Sequence, residues 1–251
     1  MKLKFLSALL IVATLLFSVD ASAQIFKNRN KKKKPSKTAM KKKMPPKKGA
    51  IQPYTKVITK DAKSDEGLFT VHQVKNKYYF EIPKDVMGKE ILVVSRIAGT
   101  VKGLNFGGAG MKSRPQQVIR WERFEDNILL RSVSYNSVAS ETSPIYASVR
   151  RNNFEPVVMS FPIRAFGKNR KSIVIQVNEL FTTHVPLISA APSYGSYNSL
   201  DENRSFIVSM KIFPNNMEIK HVLTYNSPGN SSGAVSYEMN QSFVLLPKEP
   251  M

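Results

Sequence analysis

The chain has 251 residues, which is enough for one large domain or two small ones. Its residues are 42% hydrophobic and 10% aromatic, so a core of ordinary size can form and a wholly disordered chain is excluded. Cysteine is absent, which excludes disulfide bonds, thiolate metal sites, a cysteine nucleophile and a lipid-modified N-terminal cysteine.

The formal net charge of +20 is concentrated near the N-terminus. Residues 27–48 contain twelve lysines and arginines and no acidic residue. With 24 basic and 17 acidic residues, residues 51–251 carry a net charge of only +7. The basic character therefore belongs to an arm and not to the part of the chain that is expected to fold.

Residues 1–23 have the pattern of a secretory signal peptide. Lys2 and Lys4 precede an apolar run over residues 5–19, and Ala21-Ser22-Ala23 supplies a cleavage site between Ala23 and Gln24. We expect a secreted, periplasmic or cell-envelope protein with no transmembrane span after cleavage. The alternative is an uncleaved anchor, because the positive charges that follow the run tend to stay in the cytoplasm.

Residues 24–50 are predicted to form a disordered, Lys-rich arm. Its prolines and its scarcity of apolar residues leave nothing to offset the entropy of ordering. A solvated linker is the favoured interpretation, and salt-sensitive attachment to an anionic envelope surface is the alternative. No aromatic residue lies between Lys27 and Ala50, so specific nucleic-acid binding by base stacking is not expected.

From residue 51 onward the pattern is that of β-strands. Residues 67–96 predict three strands, with a hairpin over 68–74 and 78–82 followed by a strand over 91–97 that is buried on both faces. Upstream of them, we expect a short strand over 54–59 and a charged loop over 61–66.

Further strands are expected along the rest of the chain, with a packed corner or single helical turn at Leu180-Phe181. They cover residues 118–124, 128–135, 145–149, 157–166, 173–177, 204–213, 217–225 and 235–245. Ten or so short strands without a helical period predict an all-β, mainly antiparallel fold, either a β-sandwich or an open barrel-like sheet. We divide it into a small β unit over 51–100 and a β-rich domain over 101–251, packed together.

The glycine-rich segment 99–114 does not form a phosphate-binding loop. That motif needs a glycine five positions before Gly110, but Asn105 stands there. It also needs Lys-Ser directly after the last glycine, whereas Met111 follows Gly110. We predict a surface loop.

No residue is assigned to catalysis, to a cofactor or to a metal. His72, His184 and His221 are isolated in sequence, without the short spacings of zinc ligands. No G-x-S-x-G motif occurs, and a Ser-His-acid triad could be assembled only by guessing the fold. Trp121, Tyr194 and Tyr197 could form a sugar-stacking platform, although a lone tryptophan in a strand is more often part of the core.

An ordered series of short blocks runs through most of residues 51–251. The blocks are Gly67-Leu68-Phe69, His72, Tyr79-Phe80-Glu81-Ile82-Pro83, Gly88, residues 92–98, Trp121-Glu122, Ser143-Pro144, Phe161, Leu180-Phe181, Leu200-Asp201, Arg204-Ser205-Phe206, Phe213-Pro214-Asn215-Asn216-Met217-Glu218, Leu223-Thr224, Leu245-Leu246-Pro247 and Pro250-Met251. In these residues the chain resembles the N-terminal region of secreted zinc-dependent metalloproteases of the Bacteroidota type.

The resemblance implies a role without zinc chemistry in this chain. In that family the HExxH helix, the third zinc ligand and the catalytic glutamate follow the Leu245-Leu246-Pro247 block, and this sequence holds none of them. Thr182-Thr183-His184 stands where the resemblance leads us to expect an acidic residue. We therefore expect a non-catalytic scaffold, His72 included, for a catalytic domain acting in cis or in trans, with zinc only in that domain. The alternative is a stand-alone secreted module that attaches to polyanionic surfaces through its basic arm.

Overall fold

The computed structural model describes residues 50–101, 109–189, 199–227, 229 and 231–247. The predicted signal peptide, its cleavage site at Ala23 and Gln24, nearly all of the arm, and both Tyr194 and Tyr197 lie outside these residues. The expectations for them stay predictions.

Eleven antiparallel strands form a single sheet in the described residues, in the order β1-β2-β3-β8-β7-β6-β5-β4-β11-β10-β9. The strands are β1 Lys63–Glu66, β2 Thr70–Val74, β3 Lys77–Pro83, β4 Glu90–Thr100, β5 Gln117–Phe124, β6 Asn127–Val133, β7 Val157–Phe166, β8 Ser172–Gln176, β9 Phe206–Ile212, β10 Asn216–Asn226 and β11 Ala234–Leu245. Three short α-helices accompany them: α1 Tyr54–Val57, α2 Tyr146–Asn152 and α3 Asn178–Thr182. The prediction of an all-β, mainly antiparallel fold is confirmed, in its barrel-like form.

The sheet curls until its two edge strands, β1 and β9, nearly meet. At one end, the backbone N–H of Leu68 donates to the carbonyl of Phe213 at 2.8 Å, and the N–H of Ile212 donates to the Asp65 carboxylate at 3.2 Å. Gly67 lies so close to β9 that a Cβ there would be 2.5 Å from the Phe213 carbonyl oxygen. Toward the other end the two edges enclose a groove of about 250 Å³.

The core lies on the concave face and is rich in aromatic rings. Trp121 is fully buried and its ring packs against those of Phe69, Phe80 and Phe161, with centroids 5.7–6.4 Å apart. Trp121 is therefore a core residue, which was the favoured interpretation, and the alternative of a sugar-stacking role for it is wrong. The short helix α3 adds Phe181 to the same cluster.

Strands from both predicted units are neighbours in this sheet. β3 pairs with β8, and β4 pairs with β5 and β11. The boundary at residue 100 itself stays a prediction. No helix among the described residues has the length and apolar character needed to cross a membrane.

Three local predictions were wrong, because the two helices are too short to show a 3.6-residue period and strand β1 buries no residue. Residues 54–59 begin as the four-residue helix α1 after Pro53, and residues 145–149 enter the seven-residue helix α2. Residues 63–66 form strand β1 with every residue exposed, so a loop was expected there.

Strand β4 is central in the sheet but is not buried on both faces. Ile91, Val93 and Ile97 are buried, whereas Leu92 and Val94 are half-buried. A curled sheet has one interior, so the outward side chains of even a central strand receive only partial cover.

Candidate functional site

The three histidines lie in separate places. His72 is in β2 and buried, His221 is in β10 and buried, and His184 is exposed after α3. Within the described residues, no group of three or more His, Cys, Asp or Glu side chains could hold a metal ion. Each histidine therefore has to be considered with its own neighbours.

His72 links a serine to a carboxylate on the outer face of the first three strands. Its Nδ1 lies 2.7 Å from the hydroxyl oxygen of Ser64, and its Nε2 lies 2.9 Å from Oε2 of Glu81. The register explains the grouping, because Ser64 is paired with His72 across β1 and β2, and Glu81 is one strand further on, in β3. We call Ser64, His72 and Glu81 the β1–β3 triad.

Glu81 is held as a carboxylate by donors from three elements. Tyr54 of α1 donates to its Oε2 at 2.8 Å and Ser172 of β8 donates to its Oε1 at 2.5 Å, in addition to His72. Burial acts to raise the pKa of Glu81, but hydrogen bonds from His72, Ser172 and Tyr54 outweigh it and lower the pKa to about 2. Burial, with the hydrogen bond to Glu81, raises the pKa of Tyr54.

Sequence reasoning missed this triad because its members are eight and nine residues apart on three strands. The hairpin prediction covered His72 and Glu81, and strand alternation would have put them on one face once the register was known. Ser64 had no such signal, because its strand was predicted to be a loop.

His221 belongs to a buried hydrogen-bonded chain that involves no surface residue. Its Nδ1 donates to the Phe181 carbonyl at 2.7 Å, and its Nε2 accepts from the Gln241 amide at 2.9 Å. The same amide nitrogen of Gln241 donates to the Ile188 carbonyl at 2.8 Å, and the Ser95 hydroxyl donates to the amide oxygen of Gln241 at 2.5 Å. Burial lowers the pKa of His221 to about 4, against the smaller opposite effect of the Phe181 carbonyl. The neutral ring thus fixes α3 and the segment after it onto β10 and β11.

His184 makes weaker contacts near the surface. Its Nδ1 lies 3.3 Å from the hydroxyl of Tyr225. Partial burial of the imidazole and the positive charge of Arg114 lower the pKa of His184. The acidic residue expected near this position is absent from Thr182-Thr183-His184.

A larger concave surface lies beside helix α2. The cavity measures about 800 Å³ and is lined by residues that include Arg120, Arg131, Val138, Tyr146, Phe154 and Glu155. We call it the α2 groove.

Paired charges hold the floor of the α2 groove in place. Arg120 bridges Glu90 at 2.8 Å and Glu155 at 3.0 Å. Arg131 donates to the Glu155 carbonyl at 2.9 Å, and its guanidinium carbon lies 5.1 Å from the centre of the Phe154 ring. The floor is therefore an ordered surface and not a collection of free side chains.

The rim of the α2 groove exposes an unusual number of large apolar side chains. Val138 and Phe154 line the groove and are 72% and 73% exposed. Close to lining residues in the sequence, Ile145 is 61% exposed, and Tyr135 and Val157 are about half exposed. All five lie within residues 135–157. Clustered exposure of this kind is typical of interaction surfaces, whereas single exposed apolar residues are ordinary.

Two family models match the chain. The family described as Domain of unknown function (DUF5117) matches residues 110–251, and the one described as Domain of unknown function (DUF5118) matches residues 51–100. No curated protein and no solved structure matches it.

Proposed function

We propose that this chain, which belongs to the DUF5117 family, is a scaffold that docks the catalytic domain of a secreted zinc metalloprotease, in cis or in trans. In this role it contributes no residue to zinc chemistry. The ordered blocks from Gly67 to Leu245 that resemble the metalloprotease N-terminal region support the identity of the partner.

The exposed apolar rim of the α2 groove is the observation that carries the docking role. Interface centres are enriched in aromatic residues and arginine, and the groove brings Tyr146 and Phe154 together with Arg120 and Arg131. The arginines are already paired with carboxylates, so a partner can cover them without burying an unpaired charge.

The charge around the α2 groove indicates what the partner surface must be like. Arg150 and Arg151 lie in the last turn of helix α2 and are exposed. Neither takes part in an ion pair among the described residues. A partner surface with an apolar centre and an acidic border would complement this arrangement.

The test is a binding measurement with a purified HExxH-containing domain of a zinc metalloprotease from the same genome. We expect a 1:1 complex by isothermal titration calorimetry. The double variant Val138→Ser/Phe154→Ala should weaken it about thirtyfold or more, because loss of a central apolar anchor costs about 2 kcal/mol. Arg150→Glu should weaken the complex more at low salt than at high salt, because salt screens interactions between exposed charges.

Phe206→Ala is the matched control, because Phe206 is 54% exposed but lies on β9, away from the α2 groove. It should bind as the wild type does. Absence of a complex, or equal weakening by Phe206→Ala and by the groove variant, would contradict the proposal. Binding to heparin in place of the protein domain would favour the basic-arm alternative.

A further inference from the structure

We propose that Ser64 is an activated nucleophile for aryl esters, with His72 as its general base and Glu81 as the residue that orients His72. This activity would be additional to docking and would use none of the residues that line the α2 groove.

The geometry is that of a nucleophile, a base and an orienting acid in series. The hydroxyl oxygen of Ser64 is 2.7 Å from the imidazole, and the imidazole is 2.9 Å from the carboxylate. Both separations lie within the reach required for proton transfer. The three residues lie on three consecutive antiparallel strands, so the backbone register fixes their spacing.

Accessibility differs along the triad in the way that such chemistry requires. Ser64 is exposed on β1, which is the edge strand of the sheet. His72 is only 4% exposed, so its ring is shielded from competing water. A small ester can therefore reach the serine, while the base behind it stays in place.

The charge on Glu81 determines which imidazole nitrogen carries the proton. A carboxylate only accepts hydrogen bonds, so in the neutral ring the proton sits on Nε2 and Nδ1 is left as an acceptor for the Ser64 hydroxyl. The two nitrogens are exchanged relative to the usual serine protease triad. The chemistry needs only a lone pair facing the hydroxyl, which Nδ1 supplies.

The reaction would proceed by acyl transfer. The Ser64 oxygen attacks the ester carbonyl carbon while its proton moves to Nδ1 of His72, and Glu81 stabilises the resulting imidazolium. The bond to the leaving phenolate then breaks, and the phenolate takes the proton from Nδ1. A water molecule attacks the acyl-serine with the same base, releasing the carboxylic acid and restoring Ser64.

The rate enhancement expected from the triad determines the class of substrate. General acid–base assistance contributes roughly 10²–10⁴-fold, which suits esters of good leaving groups such as phenols. We do not expect cleavage of peptide bonds by this triad.

The experiment uses a fluorophosphonate probe on the full chain, followed by intact mass and peptide mapping. Attack by Ser64 forms an oxygen–phosphorus bond and releases fluoride. We expect one adduct per chain, on Ser64, together with slow hydrolysis of p-nitrophenyl acetate. Both should disappear in Ser64→Ala, and His72→Gln should slow labelling at least about a hundredfold.

Ser160→Ala is the control, because Ser160 is also an exposed serine in a strand. Its labelling should equal that of the wild type. The thermal midpoint of each variant shows whether it is folded. A wild-type chain that takes up no probe, or one in which the adduct is spread over several serines, would overturn the proposal whatever the variants do.

Discussion

Gly67→Ala tests the closure of the sheet, because Gly67 lies where the two edges meet. An added Cβ would be 2.5 Å from the Phe213 carbonyl oxygen and 2.6 Å from the Cγ2 atom of Ile212. The first of these is a backbone atom, so it cannot move aside as the end of a flexible side chain could. The substitution should therefore push β9 away from the start of β2.

The expected loss of stability is about 1–3.5 kcal/mol. Separation of the edges removes the 2.8 Å hydrogen bond from Leu68 to Phe213, worth about 1 kcal/mol, and relief of the overlap costs about 1–3 kcal/mol. Alanine recovers about 0.4–1 kcal/mol by restricting the unfolded chain.

Urea unfolding can be followed through Trp121, which is the single tryptophan and is fully buried. The control is Gly229→Ala, because a Cβ at Gly229 would meet no atom within 4 Å. It should change the free energy of unfolding by no more than about 0.5 kcal/mol. If Gly67→Ala is as stable as the wild type, the described closure of the sheet is wrong.

Two further predictions concern buried polar groups. Between pH 7 and pH 5 the free energy of unfolding should fall by about 2 kcal/mol more in the wild type than in His221→Gln. The reason is that the pKa of His221 in the folded chain is lowered to about 4. As the pH falls below about 6.5, the unfolded chain therefore binds the proton first. Urea titrations at both pH values measure this, and parallel losses in the two chains would contradict it. Gly167→Ala should lower the free energy of unfolding by about 1–3 kcal/mol, because its Cβ would lie 2.0 Å from the Ser172 hydroxyl oxygen and 2.2 Å from Oε1 of Glu81. Gly99→Ala, whose Cβ would approach only the Cβ of Glu238 at 3.4 Å, is its control, and equal thermal midpoints for the two variants would show that the contact is not tight.

Hairpins were predictable from the sequence because their signals are local. Apolar alternation over 217–225 and the turn at Pro214-Asn215-Asn216 predicted the pairing of β9 with β10, which the structure confirms. The same holds for β2 and β3, where the chain turns at Lys75 with a φ of 55°. Such patterns depend on residues that are only a few positions apart.

Closure of the sheet could not be predicted in this way. The hydrogen bond from Ile212 to Asp65 joins residues 147 positions apart. An isoleucine in a strand and an aspartate in a charged segment are both ordinary, so neither residue gives a sequence signal for this contact. The triad is hidden for the same reason, because Ser64 acquires its partner only through the β1–β2 register.

The α2 groove was also hidden, for a reason of residue type. Val138, Ile145 and Phe154 are residues that a sequence assigns to a core. Only the folded chain shows that no element covers them among the described residues. An exposed apolar surface is thus a tertiary property, which local periodicity does not report.

Hydrogen–deuterium exchange of the chain, alone and with the zinc metalloprotease catalytic domain, tests the docking role most directly. We predict slower exchange over residues 135–157, helix α2 included, and unchanged exchange in the hairpin formed by β2 and β3. Unchanged exchange over 135–157 at saturating partner, or protection confined to other strands, would contradict the account.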